Sequence, residues 1–136
     1  MIIAVDFDGT IVQHAYPKIG KEIPFAIDTL RRLQDEGERI VLWTVRSGKL
    51  LDEAVEFCRQ RGLEFYAVNA EFEGEDAVKD GRRKIAVDVY IDDRNLGGLP
   101  DWGVIYAVLR QGRKPDWGGN YEMRPKRKWW QFWKTY

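Results

Sequence analysis

Four short apolar runs rich in β-branched residues constrain this chain most, because helical-period segments separate the first three and polar residues close each of them. The runs are residues 2–5 (IIAV), 39–44 (RIVLWT), 63–68 (LEFYAV) and 86–91 (AVDVYI). Their length and largely apolar character fit strands buried on both faces of a parallel sheet. Between the first two, Ala26, Ile27, Leu30 and Leu33 recur at helical spacing, with Pro24 near the start and Gly37 past the end. Residues 48–61 put Leu51, Ala54, Val55 and Cys58 on one helical face, and Gly62 ends that segment. After the fourth run, Asp101 is positioned to cap a helix carrying Trp102, Ile105, Tyr106 and Leu109 inward and closed by Gly112. The alternation of Val104, Tyr106 and Val108 leaves a strand over residues 104–109 as the competing reading. Strands alternating with helices predict an α/β fold, a three-layer α/β/α Rossmann-like parallel sheet with right-handed crossovers.

Length and composition bound the rest. The 136 residues suit one domain, and 44% hydrophobic residues suffice to fill its core. The catalytic-type domain is expected over residues 1–112, with residues 113–136 as a basic and aromatic extension. Lys plus Arg and Asp plus Glu are each 22, so the net charge is zero, which argues against bulk nucleic acid as a partner. A single cysteine, Cys58, precludes an intrachain disulfide. The opening MIIAVDFDGT has no basic leader and its apolar run stops after five residues, unlike a signal peptide. No apolar stretch nears the roughly 20 residues of a membrane span. A cytoplasmic protein is expected.

Ligands of an open parallel sheet bind beyond the carboxyl ends of its strands. The first run delivers Asp6 and Asp8 to that edge, the second Thr44, Arg46 and Ser47, and the fourth Asp92 and Asp93; Lys84 lies just before the fourth. Carboxylates gathered at one edge repel, and a cation offsets that repulsion; oxygen-only ligands suit Mg2+. A carboxylate can attack phosphorus to give an aspartyl phosphate. A second acid two residues on can protonate the leaving oxygen and later activate water. A lysine and a threonine hydroxyl can hold the phosphoryl oxygens, and Gly9 lets the backbone approach them.

These residues, Asp6-Phe7-Asp8-Gly9-Thr10 after a buried strand, Thr44 closing LWT, Lys84, and Asp92-Asp93 after VYI, resemble in order and spacing the four motifs of the haloacid dehalogenase superfamily. The resemblance covers roughly residues 1–110. It implies a phosphohydrolase in which Asp6 is the nucleophile and a metal ligand. Asp8 would be the general acid/base, with its carbonyl on the metal. Thr44 and Lys84 would hold the phosphoryl group, with Lys79 the alternative lysine. Gly9, Thr10, Arg46 and Ser47 would meet substrate, and Asp92 or Asp93 would complete a Mg2+ site. An acid at Asp8 marks the phosphoryl-transfer branch and sets dehalogenation aside. The segments after the first and third strands are too short for a cap domain, so the chain resembles capless members, whose rim would be residues 13–23 and 71–83.

Blander roles stand beside these. Arg46 and Arg94 suit structural ion pairs as well as substrate contacts, His14 suits a solvated loop, and Cys58 suits the core. The aromatic tail, with Trp129, Trp130, Phe132, Trp133 and Tyr136 among basic residues, fits packing on the domain or on a second copy. Single-stranded nucleic acid and an anionic membrane surface are its less favoured partners. The expected activity is hydrolysis of a phosphate ester of unassigned identity. Its rivals are a non-catalytic phosphate-site scaffold and a nucleic-acid end-processing phosphatase.

Overall fold

A computed structural model describes residues 1–74 and 84–111. The tail readings and Lys79 fall on residues outside these. The element order is β1 (Ile2–Val5), α1 (Ala26–Asp35), β2 (Arg39–Leu42), α2 (Gly48–Gln60), β3 (Ala67–Val68), β4 (Val89–Ile91) and α3 (Trp102–Gln111). The strands form one parallel sheet in the order β3-β2-β1-β4. Ile3 pairs with Ile40 on one side and Val89 on the other. The central position of β1 explains its unbroken apolar sequence, since neither face meets water.

Alternate residues of the strands serve opposite faces. Ile3, Val5, Ile40, Leu42 and Ile91 pack beneath the helices, against Leu30 and Leu33 of α1, Ala54 and Cys58 of α2, and Trp102 and Ile105 of α3. Burying each large aliphatic side chain contributes about 1.5–3 kcal/mol. Ala4, Val41 and Ala67 face the other way, in a smaller cluster with Ala70 and Ile85. Those last two residues lie near the ends of the connection from β3 to β4, whose residues 75–83 are outside the described set. The α/β Rossmann-like class read from the sequence is the observed one.

Helices α1 and α2 stop in the same way. The Gly37 N–H donates to the Gln34 carbonyl and the Glu38 N–H to the Leu33 carbonyl; Gly62 and Leu63 repeat the pattern on Arg59 and Cys58. Both glycines have positive φ, +95° and +81°, the left-handed turn that this ending requires. Helix α3 begins where Asp101 predicts, its carboxylate accepting the Gly103 N–H at 2.8 Å. Residues 104–109 lie within that helix, so the strand reading of this segment is set aside.

Three strands are shorter than expected, for identifiable reasons. Thr44 leaves β2 because its N–H turns to the Asn69 side chain. Leu63 cannot begin β3 because its N–H closes α2. Residues 86–87 precede β4 because β1 itself starts at Ile2, whose backbone pairs with Asp88.

Candidate active site at the carboxyl edge of the sheet

The first loop is shaped by backbone bonds. The Asp6 N–H donates to the Ile91 carbonyl at 3.0 Å, carrying the β1–β4 pairing one residue further. The Phe7 carbonyl then accepts from the N–H groups of Thr10, Ile11 and Val12. The Gly9 N–H donates to the Val12 carbonyl at 2.7 Å. Gly9 has φ +83°, and a Cβ there would lie 2.3 Å from Asp93 Oδ2 and 2.8 Å from His14 Cδ2. No side chain fits that position, so the Asp93 carboxylate and the His14 ring close directly over bare backbone.

Asp6, Asp92 and Asp93 each present a carboxylate oxygen within 4.8 Å of the others. All three are half-buried. Burial, then the charge of Asp92 and the proximity of Asp93, push the Asp6 carboxyl up to about 7. Three hard oxygen donors so close together, one of them driven toward its neutral form, make a donor set suited to a divalent cation.

Thr10 braces this cluster. Its hydroxyl accepts the Asp93 N–H at 3.1 Å and lies 3.4 Å from Asp6 Oδ2 and 3.5 Å from Asp93 Oδ1. It is fully buried, so it orients the acids instead of meeting substrate as expected. His14 is at the rim, its Nε2 3.6 Å from Asp93 Oδ2 and its side chain half exposed.

The second acid of the motif is elsewhere engaged. Arg46 Nε donates to Asp8 Oδ2 at 2.8 Å and Nη2 to Asp8 Oδ1 at 2.7 Å. Asp8 is 5% exposed and Arg46 1%. The guanidinium also donates to the carbonyls of Pro17, Lys18 and Leu50, and lies over the rings of Phe7 and Tyr16. A planar fork with several donors suits such a buried, two-pronged pairing, which a lysine could not reproduce. Asp8 in turn holds the arginine strongly in its charged form. Of the two roles open to Arg46, substrate contact and ion pair, the structure takes the ion pair.

Thr44 adjoins this pair, its hydroxyl accepting the Arg46 N–H at 3.2 Å. Ser47 is exposed at the start of α2 and makes no capping bond with its side chain. It stands at the N-terminal end of α2, a setting that attracts anions. Lys84 is not gathered in. It is exposed, its ammonium lies 5.1 Å from the centre of the Tyr90 ring, and no ion pair joins it to Asp6 among the described residues. Arg94 is also exposed, and its N–H donates to Asp92 Oδ1.

Two residues that sequence reasoning missed position the loops. Asn69, in the left-handed region at φ +51°, accepts the Thr44 N–H at 2.8 Å and donates to the Arg46 carbonyl. An asparagine just past a strand at the ligand-binding edge is a usable signal, because asparagine tolerates that conformation. Trp102 donates its indole N–H to the Thr10 carbonyl. Nothing local in the sequence announces that contact, which spans 92 positions.

A solved structure of a conserved protein coded by a locus from Bacteroides thetaiotaomicron is 56% identical in sequence to the chain, with a TM-score of 0.78. The match covers 84% of this chain and 93% of that one. No protein-family model and no curated protein matches the chain. Among the described residues, no helix is long and apolar enough to cross a membrane.

Proposed function

We propose that this chain, which belongs to the same family as that conserved Bacteroides thetaiotaomicron protein, is a magnesium-dependent phosphohydrolase using Asp6 as its nucleophile. The observation that carries the reading is the convergence of Asp6, Asp92 and Asp93 at the carboxyl ends of β1 and β4. The motif resemblance to the haloacid dehalogenase superfamily supports it. The three carboxylates would hold Mg2+, which would neutralise their charge and that of a phosphoryl group.

An Asp6 oxygen attacks phosphorus in line with the leaving oxygen, which departs with the bonding electron pair. Water then attacks the aspartyl phosphate and releases inorganic phosphate, returning Asp6 to its carboxylate. Thr10 keeps Asp6 and Asp93 aligned throughout. Thr44, Ser47 and the amides opening α2 receive the phosphoryl oxygens. Lys84 would have to leave the Tyr90 ring to join them. Cys58, buried as a free thiol and pushed up to about 12 by that burial, takes no part and accords with a reducing, cytoplasmic setting.

The test is hydrolysis of an aryl phosphate with and without Mg2+ by wild type and Asp6→Asn. Magnesium-dependent turnover that falls at least about 1,000-fold in the variant, with an unchanged circular dichroism spectrum, is the expected result. Turnover retained in Asp6→Asn would overturn the nucleophile assignment. Absence of turnover in a protein that still binds Mg2+ would instead favour a phosphate-site scaffold.

A further inference from the structure

A single exposed apolar side chain needs no explanation, but several gathered on one edge mark a binding surface. Among the described residues six large hydrophobic side chains are exposed, and each follows the carboxyl end of a strand or opens the next helix. Tyr16 and Phe25 lie between β1 and α1, Val45 between β2 and α2, Phe72 beyond β3, Leu96 between β4 and α3, and Val104 in the first turn of α3. The carboxyl ends of β1 and β4 are also where Asp6, Asp92 and Asp93 gather.

Three of the six adjoin the residues of that site. The Tyr16 ring lies 5.3 Å from the guanidinium of Arg46, which grips Asp8. Val45, 86% exposed, stands between Thr44 and Arg46. Leu96, 90% exposed, sits in a turn pinned beside the acids. The Gly98 N–H donates to the Asn95 carbonyl at 2.8 Å, and the Asn95 side chain donates to the Asp92 carbonyl at 2.9 Å. Phe25 adds a second, independent observation. It is exposed with φ +68°, a left-handed backbone that a bulky side chain rarely adopts. Strain of this kind gathers at functional positions. Packing within the chain offsets little of it, since most of the residue faces water.

We infer that these residues form an apolar rim that binds the body of the substrate, and that the substrate class is phosphate monoesters with a hydrocarbon body, as opposed to sugar phosphates and nucleotides. The inference rests on the phosphohydrolase reading and deepens it. The acids and Mg2+ take the phosphoryl group, and Tyr16, Val45 and Leu96 cover the carbon chain beside it. Val45 and Leu96 have no side-chain donor or acceptor to offer a sugar hydroxyl. A polyhydroxyl body leaving water there would lose hydrogen bonds without replacing them. A hydrocarbon body gains in proportion to the apolar area it buries.

The experiment measures kcat/KM for ethyl, butyl, hexyl and glycerol phosphate at saturating Mg2+, below micelle-forming concentrations. Each is tried with wild type, Asp6→Asn, Val45→Ser, Leu96→Ser and Phe25→Gly. All are alkyl esters, so the departing alkoxide changes little and the body is what varies. For wild type, kcat/KM is expected to rise about two- to fourfold with each added methylene, through KM. Butyl phosphate should exceed glycerol phosphate at least about tenfold. Val45→Ser and Leu96→Ser should each lower the ratio of hexyl to ethyl turnover at least about twofold. Phe25→Gly should lower that ratio too while melting no lower than wild type, because glycine accepts the left-handed backbone. Asp6-dependent turnover that is flat with chain length, or that favours glycerol phosphate, would overturn the inference and leave the phosphohydrolase reading standing. A flat series in a protein that sediments as a dimer, split by Leu96→Ser, would overturn it by giving the rim to a second copy. No Asp6-dependent turnover of any ester would overturn both.

Discussion

The indole nitrogen of Trp102 donates to the carbonyl oxygen of Thr10 at 3.1 Å, fastening the first turn of α3 to the loop that carries the acids. Trp102 is 1% exposed and Thr10 fully buried, so water cannot replace the bond. Trp102→Phe keeps most of the apolar volume and removes the donor, leaving the Thr10 carbonyl without its indole partner. The expected loss is about 1–3 kcal/mol in urea denaturation. A variant as stable as wild type would show that the bond is dispensable.

Gly9→Ala should be more damaging at the site than in the fold. The left-handed backbone at Gly9 disfavours a Cβ by about 1–2 kcal/mol. The new methyl group would also lie 2.7 Å from the Asp93 carboxyl carbon, so Asp93 must move. Calorimetric Mg2+ binding should weaken by at least about tenfold, since a carboxylate is displaced from the cluster. Unaltered Mg2+ affinity would mean that Asp93 is not a ligand.

The acid cluster predicts a pH dependence whose sign follows from Asp6. Its folded-state carboxyl is raised from 3.8 to about 7, by burial first and then by Asp92. Between those values the folded protein holds a proton that the unfolded chain has lost. The group's destabilising effect is therefore absent below about pH 4, grows as pH rises, and is complete above about pH 7. Without metal, the melting temperature of wild type should decline across that window more than that of Asp6→Asn. Mg2+ should reverse the decline, and its affinity should weaken as pH falls below about 7, because a protonated Asp6 is not a ligand. Parallel melting profiles for the two proteins would refute the assignment.

Local chemistry made much of this fold readable. Positive φ at Gly37 and Gly62 is a demand of helix endings, and the apolar period of α1 points Leu30 and Leu33 at the sheet whatever lies on it. Asp6, Asp92 and Asp93 were likewise legible, because strand ends in a parallel sheet share one edge. The direction of the Asp8 carboxylate was not. Nor was the position of Lys84, which sits over Tyr90.

The sequence by itself determined the strand and helix order, the parallel sheet and the edge at which the acids gather. Periodicity, caps and turn residues act over a few positions and need no knowledge of distant partners. Only the tertiary structure decided that Thr10 braces where contact with substrate was expected, that Arg46 and Asp8 hold one another across 38 positions, and that Asn69 and Trp102 fix the loops. Those roles depend on which charged and polar groups are buried face to face. Burial at long range is set by how the helices close over the sheet, not by residue spacing along the chain.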